Sequence, residues 1–375
     1  MVRLGDICIF QSGGTPSKSN SEYFNGSIPW ITTVALTGDY IDKKDAVDWI
    51  TDKAIQESAA KIVPENSILV GTRVGIGKVA INTVPMSTSQ DIVSLINVDD
   101  TEWDKRFLCK VISARNPYLL SQARGATIKG IKIDTLAKLE IPEFPLDEQR
   151  RIAAVLDKVS GLIAKRREQL DKLDELVKTR FVEMFGDPVL NQKEFPCYTV
   201  GDIISFQGGS QPDKKYFEYV PTKDNIRLIQ IRDYKSDKYI TYIPKEMANR
   251  FCTADDIMIG RYGPPIFQIL QGIEGSFNVA LMKATPKMGN REFIRQFLKQ
   301  DCLLEYLEGL SKRTAGQDGI QMDKLKSYPF PFPPLELQDQ FANFIKQTNK
   351  SKLTIQQSLD KLEILKKALI QQYFG

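Results

Sequence analysis

The feature that most constrains this chain is that much of it is written twice. Leu4-Gly5-Asp6-Ile7, with Gln11-Ser12-Gly13-Gly14-Thr15-Pro16 behind it, returns as Val200-Gly201-Asp202-Ile203 followed by Gln207-Gly208-Gly209-Ser210-Gln211-Pro212. Gly130-Ile131, Asp134 and Leu136 return as Gly319-Ile320, Asp323 and Leu325. Pro145-Leu146-Asp147-Glu148-Gln149 matches Pro334-Leu335-Glu336-Leu337-Gln338, and Phe185-Gly186 matches Phe374-Gly375. The front motif is displaced by 196 positions (Leu4 to Val200) and the later ones by 189 (Gly130 to Gly319), so the second copy is shorter in its middle. Matched edges around divergent middles imply two similar folding units closed by the same terminal elements.

At 375 residues the chain is too long for one comfortable core, which agrees with two units. Each copy begins with short strands and turns, such as Ser67–Arg73 followed by Gly75–Ile81, whose alternation and glycines predict hairpins. Each then opens a long helical stretch behind Pro145 or Pro334. Leu156, Ile163, Leu170 and Val177 recur every seventh position with Leu173 on the adjoining seam, and Leu359, Leu362 and Leu369 mark a comparable stripe in the second copy. A sustained seven-residue period predicts helices that pair in a coiled coil. Unbroken from Leu146 to Met184, such a helix would reach about 58 Å. The expected fold is α+β, with mixed α/β globular regions at 1–144 and 189–333. The long helices at 145–188 and 334–375 are expected to form an antiparallel coiled-coil spacer, the whole having a pseudo-two-fold internal repeat.

The chain contains no histidine. That excludes Ser-His-Asp and Cys-His chemistry and removes both the default general base and the commonest metal ligand. The five cysteines, Cys8, Cys109, Cys197, Cys252 and Cys302, are scattered and never form a C-x-x-C pair, which points to reduced thiols without zinc in a cytoplasmic protein. Asp6 falls where a signal peptide needs an apolar stretch, and no run of about 20 apolar residues predicts a membrane span. Lys and Arg number 51 against 47 Asp and Glu, so any affinity for nucleic acid must come from local patches.

Three enzyme signatures are present only in fragments. Gly75-Ile76-Gly77-Lys78-Val79-Ala80 fits the dinucleotide fingerprint but runs on into a strand where that motif needs a helix. The prolines of Gly263-Pro264-Pro265-Ile266 and Phe332-Pro333-Pro334-Leu335 lack the amide and aromatic of an adenine methyltransferase loop. Pro212-Asp213 with Asp233-Tyr234-Lys235 resembles a magnesium nuclease constellation. Because Ser17 replaces Asp213 in the first copy, a turn with a capping aspartate competes with that reading.

What occurs in both copies is a set of polar, basic and glycine-rich loops. Candidate DNA contacts in the first are Gln11, Gly13, Gly14, Thr15, Trp30, Thr33, Arg73, Gln90, Arg124 and Lys129. In the second they are Gln207, Gln211, Gln230, Arg232, Arg261, Tyr262, Asn278, Lys312, Arg313 and Gln317. Arg and Lys can address guanine edges, Gln and Asn adenine, and Thr methyls the thymine methyl, while glycines let backbone N–H groups approach phosphates. Solvated loops on an ordinary domain are the plain alternative.

These residues also carry a family resemblance over nearly the whole chain. Leu4-Gly5-Asp6, Gly13 through Ser17, Ile28-Pro29-Trp30, Gly130 through Leu136, Pro145 through Gln149, Arg151 through Asp157 and Phe185 through Pro188 together resemble the specificity subunit of type I restriction–modification systems. The second copy departs from the pattern at Gln211-Pro212-Asp213 and in having no clear Ile-Pro-Trp. The resemblance implies two target recognition domains, each reading half of a split sequence in double-stranded DNA. It implies helices that set the gap and dock two methyltransferase subunits, with Leu156, Ile163, Leu170, Leu173, Val177, Leu359, Leu362 and Leu369 on the spacer seam. It implies no cofactor on this chain, with S-adenosylmethionine on the methyltransferase and a separate motor-nuclease subunit joining for restriction. A magnesium-dependent DNA nuclease using Asp213, Asp233 and Lys235 is the alternative, and a coiled-coil scaffold without DNA affinity is a third reading.

Overall fold

A computed structural model of the chain describes residues 1–38, 40–125, 129–262, 266–311 and 319–375. The chain divides into two compact units, Met1–Glu168 with Gln356–Gly375, and Gln169–Ile355. Two 40-residue helices dominate the element order, α1 (Leu146–Phe185) and α2 (Leu335–Phe374). Each is therefore shared, its first part belonging to the unit that precedes it in sequence and its second part to the other unit.

The globular part of the first unit is built mainly from two larger sheets, beside a two-stranded pairing of Val2–Arg3 with Glu140–Ile141. One runs Ile9–Ser12, Ile92–Ile96, Ile68–Gly71, Val79–Asn82 and Tyr40–Ile41 in spatial order, and the other Asp48–Ile50, Phe24–Ile31, Met86–Thr88 and Ile62–Val63. Val70 pairs with Val79 across the hairpin foreseen from its glycines, and the segment after Gly77 is a strand, which leaves the dinucleotide motif without its helix. The second unit repeats the order. Ile204–Gly208, Leu281–Pro286, Ile257–Gly260 and Gln268–Gln271 form one sheet, and Tyr242–Pro244, Asn225–Ile229, Gly275–Phe277 and Phe251–Cys252 the other.

The packing explains why the edges of the duplication match. Gly5 lies against Ala137, where an added Cβ would sit 3.1 Å from the alanine methyl, and Gly201 lies in the same way against Lys326. The repeated Leu-Gly-Asp and Gly-Ile…Asp…Leu segments are thus two halves of one close contact. The repeated glutamine acts as a clamp. Gln149 is buried, its Oε1 accepting from the Asp104 N–H at 2.9 Å while its Nε2 donates to the Glu102 and Phe144 carbonyls, both at 2.9 Å. Gln338, equally buried, accepts from the Asn290 N–H at 2.8 Å and donates to the Pro333 carbonyl at 2.7 Å. Each clamp fastens the start of a long helix to its own globular region. Helix α1 stops at Gly186, whose φ of +76° and N–H bond to the Val182 carbonyl form a left-handed cap.

Within each unit the two helical segments run antiparallel. In the first, Leu156 and Phe374 share one core, Phe374 meeting Phe107 edge-on at 5.7 Å, and further along Arg167 pairs with Glu363 at 2.7 Å. In the second, Phe181 meets Phe341 at 5.6 Å and Lys352 pairs with Asp174. All eight seam positions expected from the heptads are buried or half-buried, namely Leu156, Ile163, Leu359, Leu362 and Leu369 in the first unit and Leu170, Leu173 and Val177 in the second. Asp157 ties α1 to the helix Lys105–Ala114 through Arg106 and Lys110. Burial would raise its pKa, but the hydrogen bonds from Lys110 and Arg106 outweigh that and hold the carboxyl below its ordinary value.

Candidate nucleic-acid interface

In the first unit the loops singled out by composition are joined in one continuous patch. Gly13 and Gly14 follow the strand Ile9–Ser12 and press onto the end of Met86–Thr88, with the Gly14 N–H bonding the Thr88 carbonyl at 2.9 Å. A Cβ at Gly13 would fall 2.2 Å from the Ser89 carbonyl oxygen, so only glycine allows this approach. Trp30 is buried beneath the loop and donates its Nε1–H to the Gly14 carbonyl at 3.1 Å. The Ser89 N–H bonds the Ile31 carbonyl, and the Asp91 carbonyl accepts from the Thr72 N–H. Arg73 stands 4.0 Å from Asp91, and Gly130 packs on its side-chain stem. Arg124 is bridged to Gly130.

From this patch Arg73, Gln90, Arg124 and Lys129 are exposed, Gln11, Gly13 and Thr15 are half-buried, and Gly14, Trp30 and Thr33 are buried. Gln11 donates to the Ile62 carbonyl at 2.9 Å. Trp30 and Thr33 shape the surface from beneath. Arg73 and Arg124 line a cleft of about 680 Å³ with Tyr118, Gln122, Lys132 and Lys138. These last four were not among the candidates read from sequence. The lysines flank the short helix Ile133–Ala137, and the signal for Lys132 was its place beside the repeated Gly130-Ile131.

The second unit builds the same arrangement with other side chains. A Cβ at Gly209 would fall 1.9 Å from the Asn278 carbonyl oxygen, and the Ser210 N–H bonds the Phe277 carbonyl at 3.1 Å. Asn278 donates to Gln211 Oε1 at 3.3 Å, and its N–H bonds the Ile229 carbonyl as Ser89 bonds Ile31. Arg261 lies over the Tyr262 ring at 5.3 Å, and Tyr262 is bridged to Gly319. Gly319 therefore meets Tyr262 as Gly130 meets Arg73, so at this position an aromatic replaces an arginine. Gln207 is exposed on its strand. Lys312, Arg313 and Gln317 lie outside the described residues.

Gln230 precedes and Arg232 lies within the turn Ile231–Tyr234, and both donate to Thr241 Oγ1 at 3.0 Å. Beneath them Asp233 is closed off from solvent. Its Oδ2 accepts from the Gln230 N–H at 3.1 Å, with Arg227 at 3.7 Å and Arg232 at 4.0 Å. Burial drives its pKa up in spite of that N–H and both guanidinium groups. Asp213 is exposed and caps the turn Lys214–Tyr216 by accepting from the Lys215 N–H at 3.1 Å. Among the described residues no group of three His, Cys, Asp or Glu side chains could hold a metal ion. The nuclease constellation is thus a capping aspartate and a buried positioning aspartate, and it lacks support. Nor, among the described residues, is any helix long and apolar enough to cross a membrane.

Comparison with known proteins agrees with the doubled architecture. Residues 1–174 and 192–364 each match the family model described as the type I restriction modification DNA specificity domain. The specificity subunit of type I restriction enzyme MjaIX from Methanocaldococcus jannaschii is 29% identical over 271 residues, 63% of this chain and 63% of its own. That of EcoR124I/EcoR124II from Escherichia coli is 32% identical over 185 residues, 48% of this chain and 45% of its own. The chain thus spans less than two thirds of the length of these two relatives. The MjaVIII specificity subunit, also from M. jannaschii, is 25% identical over 381 residues, covering 92% and 85%. In fold, the chain resembles a type I restriction–modification S subunit from M. genitalium with a TM-score of 0.61 at 16% identity, covering 100% of this chain and 95% of that one. A second solved chain, from work on complex assembly of the type I system, gives 0.60 at 19% identity, covering 100% and 96%.

Proposed function

The chain belongs to the type I restriction–modification DNA specificity family, and from that premise we propose that it is the non-catalytic, sequence-reading subunit of such a complex. Each unit reads one half of a split target in double-stranded DNA. Methyltransferase subunits dock on the chain and bring S-adenosylmethionine and the adenine chemistry, and a motor-nuclease subunit joins for restriction.

The observation that carries this reading is the repeated loop patch. In both units a glycine that tolerates no Cβ, Gly13 with Gly14 in the first and Gly209 in the second, is pinned to a strand end, and arginine, glutamine or asparagine side chains are gathered beside it. Such an arrangement brings backbone N–H groups and forked side-chain donors to one surface, as phosphate contact and base-edge readout require. The cleft in the first unit gathers four cations, Arg73, Arg124, Lys132 and Lys138, against the single carboxylate of Asp134, a net positive charge on a chain of nearly balanced composition.

The test is to co-express the chain with a cognate methyltransferase subunit and select bound duplexes from a randomised library. A split motif with a fixed gap is the expected result. Binding without sequence preference, or cleavage of DNA by the chain alone with magnesium, would overturn the proposal. In the same complex, Lys132→Ala and Lys138→Ala should weaken binding on all sequences and each lower the salt slope by about one.

A further inference from the structure

The two units present chemically different residues at one structurally equivalent point, and that point follows from strand register. In the first unit Ile31 pairs with Thr88 in parallel register, the Ile31 carbonyl receives the Ser89 N–H, and the chain then turns through Thr33–Ala35. In the second, Ile229 pairs with Phe277, its carbonyl receives the Asn278 N–H, and the chain turns through Ile231–Tyr234. Counting from Ile31 and Ile229, Val34 falls on Arg232 and Ala35 on Asp233. The burial agrees with that alignment, since Ala35 and Asp233 are buried while Val34 and Arg232 are exposed.

Val34 is 78% exposed, between neighbours that are both buried. Neither the core nor any hydrogen bond needs an apolar side chain there, and valine's two methyls are held stiffly by its branched Cβ. Arg232 donates from its terminal Nη2 to Thr241 Oγ1 and has Asp233 4.0 Å from its Nε, so its guanidinium is held along one edge while nearly half of the side chain is exposed. One turn therefore offers methyl groups and the other a supported guanidinium.

On the reading of this chain as a two-part DNA reader, we infer that these turns are specificity-determining and read opposite kinds of base edge. Val34 packs on the 5-methyl group of a thymine in one half-site, and Arg232 donates to the O6 and N7 acceptors of a guanine in the other. Asp233 is the positioning residue that fixes Arg232 from beneath.

The experiment uses the chain in complex with its methyltransferase and the split target returned by selection. Each thymine is replaced in turn by deoxyuridine, which removes the methyl and leaves base pairing intact, and each guanine by 7-deazaguanine, which removes N7. One thymine of one half-site should weaken binding about fourfold, the value of one buried methyl, and the Val34→Ala complex should be insensitive to that replacement. One guanine of the other half-site should cost about tenfold, with Arg232→Ala insensitive in turn. Asp233→Asn should reduce the 7-deazaguanine effect without moving the deoxyuridine effect, an asymmetry that general loss of folding would not produce. A split motif with no methyl-dependent position, or equal sensitivity in wild type and Val34→Ala, would overturn the inference and leave the reader standing. Selection that returns no preferred sequence would remove both.

Discussion

Replacing Gln149 with methionine keeps the volume of a buried side chain and removes its hydrogen bonding alone. Three backbone groups lose their partner, the Asp104 N–H and the Glu102 and Phe144 carbonyls. At about 1 kcal/mol net for each bond, the first unit should lose about 3 kcal/mol. The equivalent Gln338→Met removes two bonds from the second unit, for about 2 kcal/mol. The chain has three tryptophans, Trp30, Trp49 and Trp103, all within the first unit, and Trp103 adjoins both Glu102 and Asp104. Tryptophan fluorescence during urea unfolding therefore follows one unit only. With a slope of about 2 kcal/mol/M, Gln149→Met should lower the tryptophan midpoint by about 1.5 M. Gln338→Met should move it far less, while lowering the midpoint of the remaining helical signal. A Gln149→Met midpoint within 0.2 M of wild type would show that these bonds do not fasten α1 to the sheet region. A Gln338→Met shift as large as that of Gln149→Met would refute the assignment of one clamp to each unit.

Gly13→Val and Gly209→Val should each abolish preference in one half-site and spare the other, because the new Cβ meets a backbone carbonyl at 2.2 Å or 1.9 Å, and library selection on each variant complex reads this directly. Asp157→Asn should destabilise the first unit by about 1 kcal/mol at neutral pH, kept small by solvent around a carboxylate 31% exposed. Because that carboxyl's folded pKa is depressed, its contribution is full above the unfolded value near 4 and fades as pH falls through the folded value, so mutant and wild type should converge in acid unfolding curves. A neutral-pH maleimide should label exposed Cys197 first. Burial pushes Cys8 and Cys109 up to about 12 and Cys252 up to about 11, so these should react only on unfolding, as intact-mass measurements with and without urea would report.

The long helices and the doubled plan were legible because they rest on periodicity and on matched edges. Among the repeated edge residues, Gly5 holds its element against Ala137 and Gln149 fastens α1 to Asp104. The polar loops were legible as a set, and the exposure of their individual side chains less so. Trp30 and Thr33 have the chemistry of contacts yet face inward, and Val34, which is not among the candidates read from sequence, faces outward. Which side of a three-residue turn meets solvent depends on how the preceding strand is registered, and that pairing joins residues far apart in sequence. The equivalence of Arg73 and Tyr262 follows the same 189-position displacement that carries Gly130 to Gly319, and the contact each makes with that glycine agrees with it.

The last twenty residues of the chain belong to the first unit, where Phe374 is sealed against Phe107. During synthesis, that unit's sheets leave the ribosome long before the segment that completes their core. The apolar surface awaiting Leu369, Ile370 and Phe374 must stay uncovered while some 190 intervening residues are made, a delay of roughly 10 to 40 s at ordinary elongation rates. The second unit, continuous from Gln169 to Ile355, is under no such delay. The half of the molecule encoded first is thus the half finished last, and a ribosome that stops between Ile355 and Phe374 releases a chain whose second unit has all its parts and whose first does not.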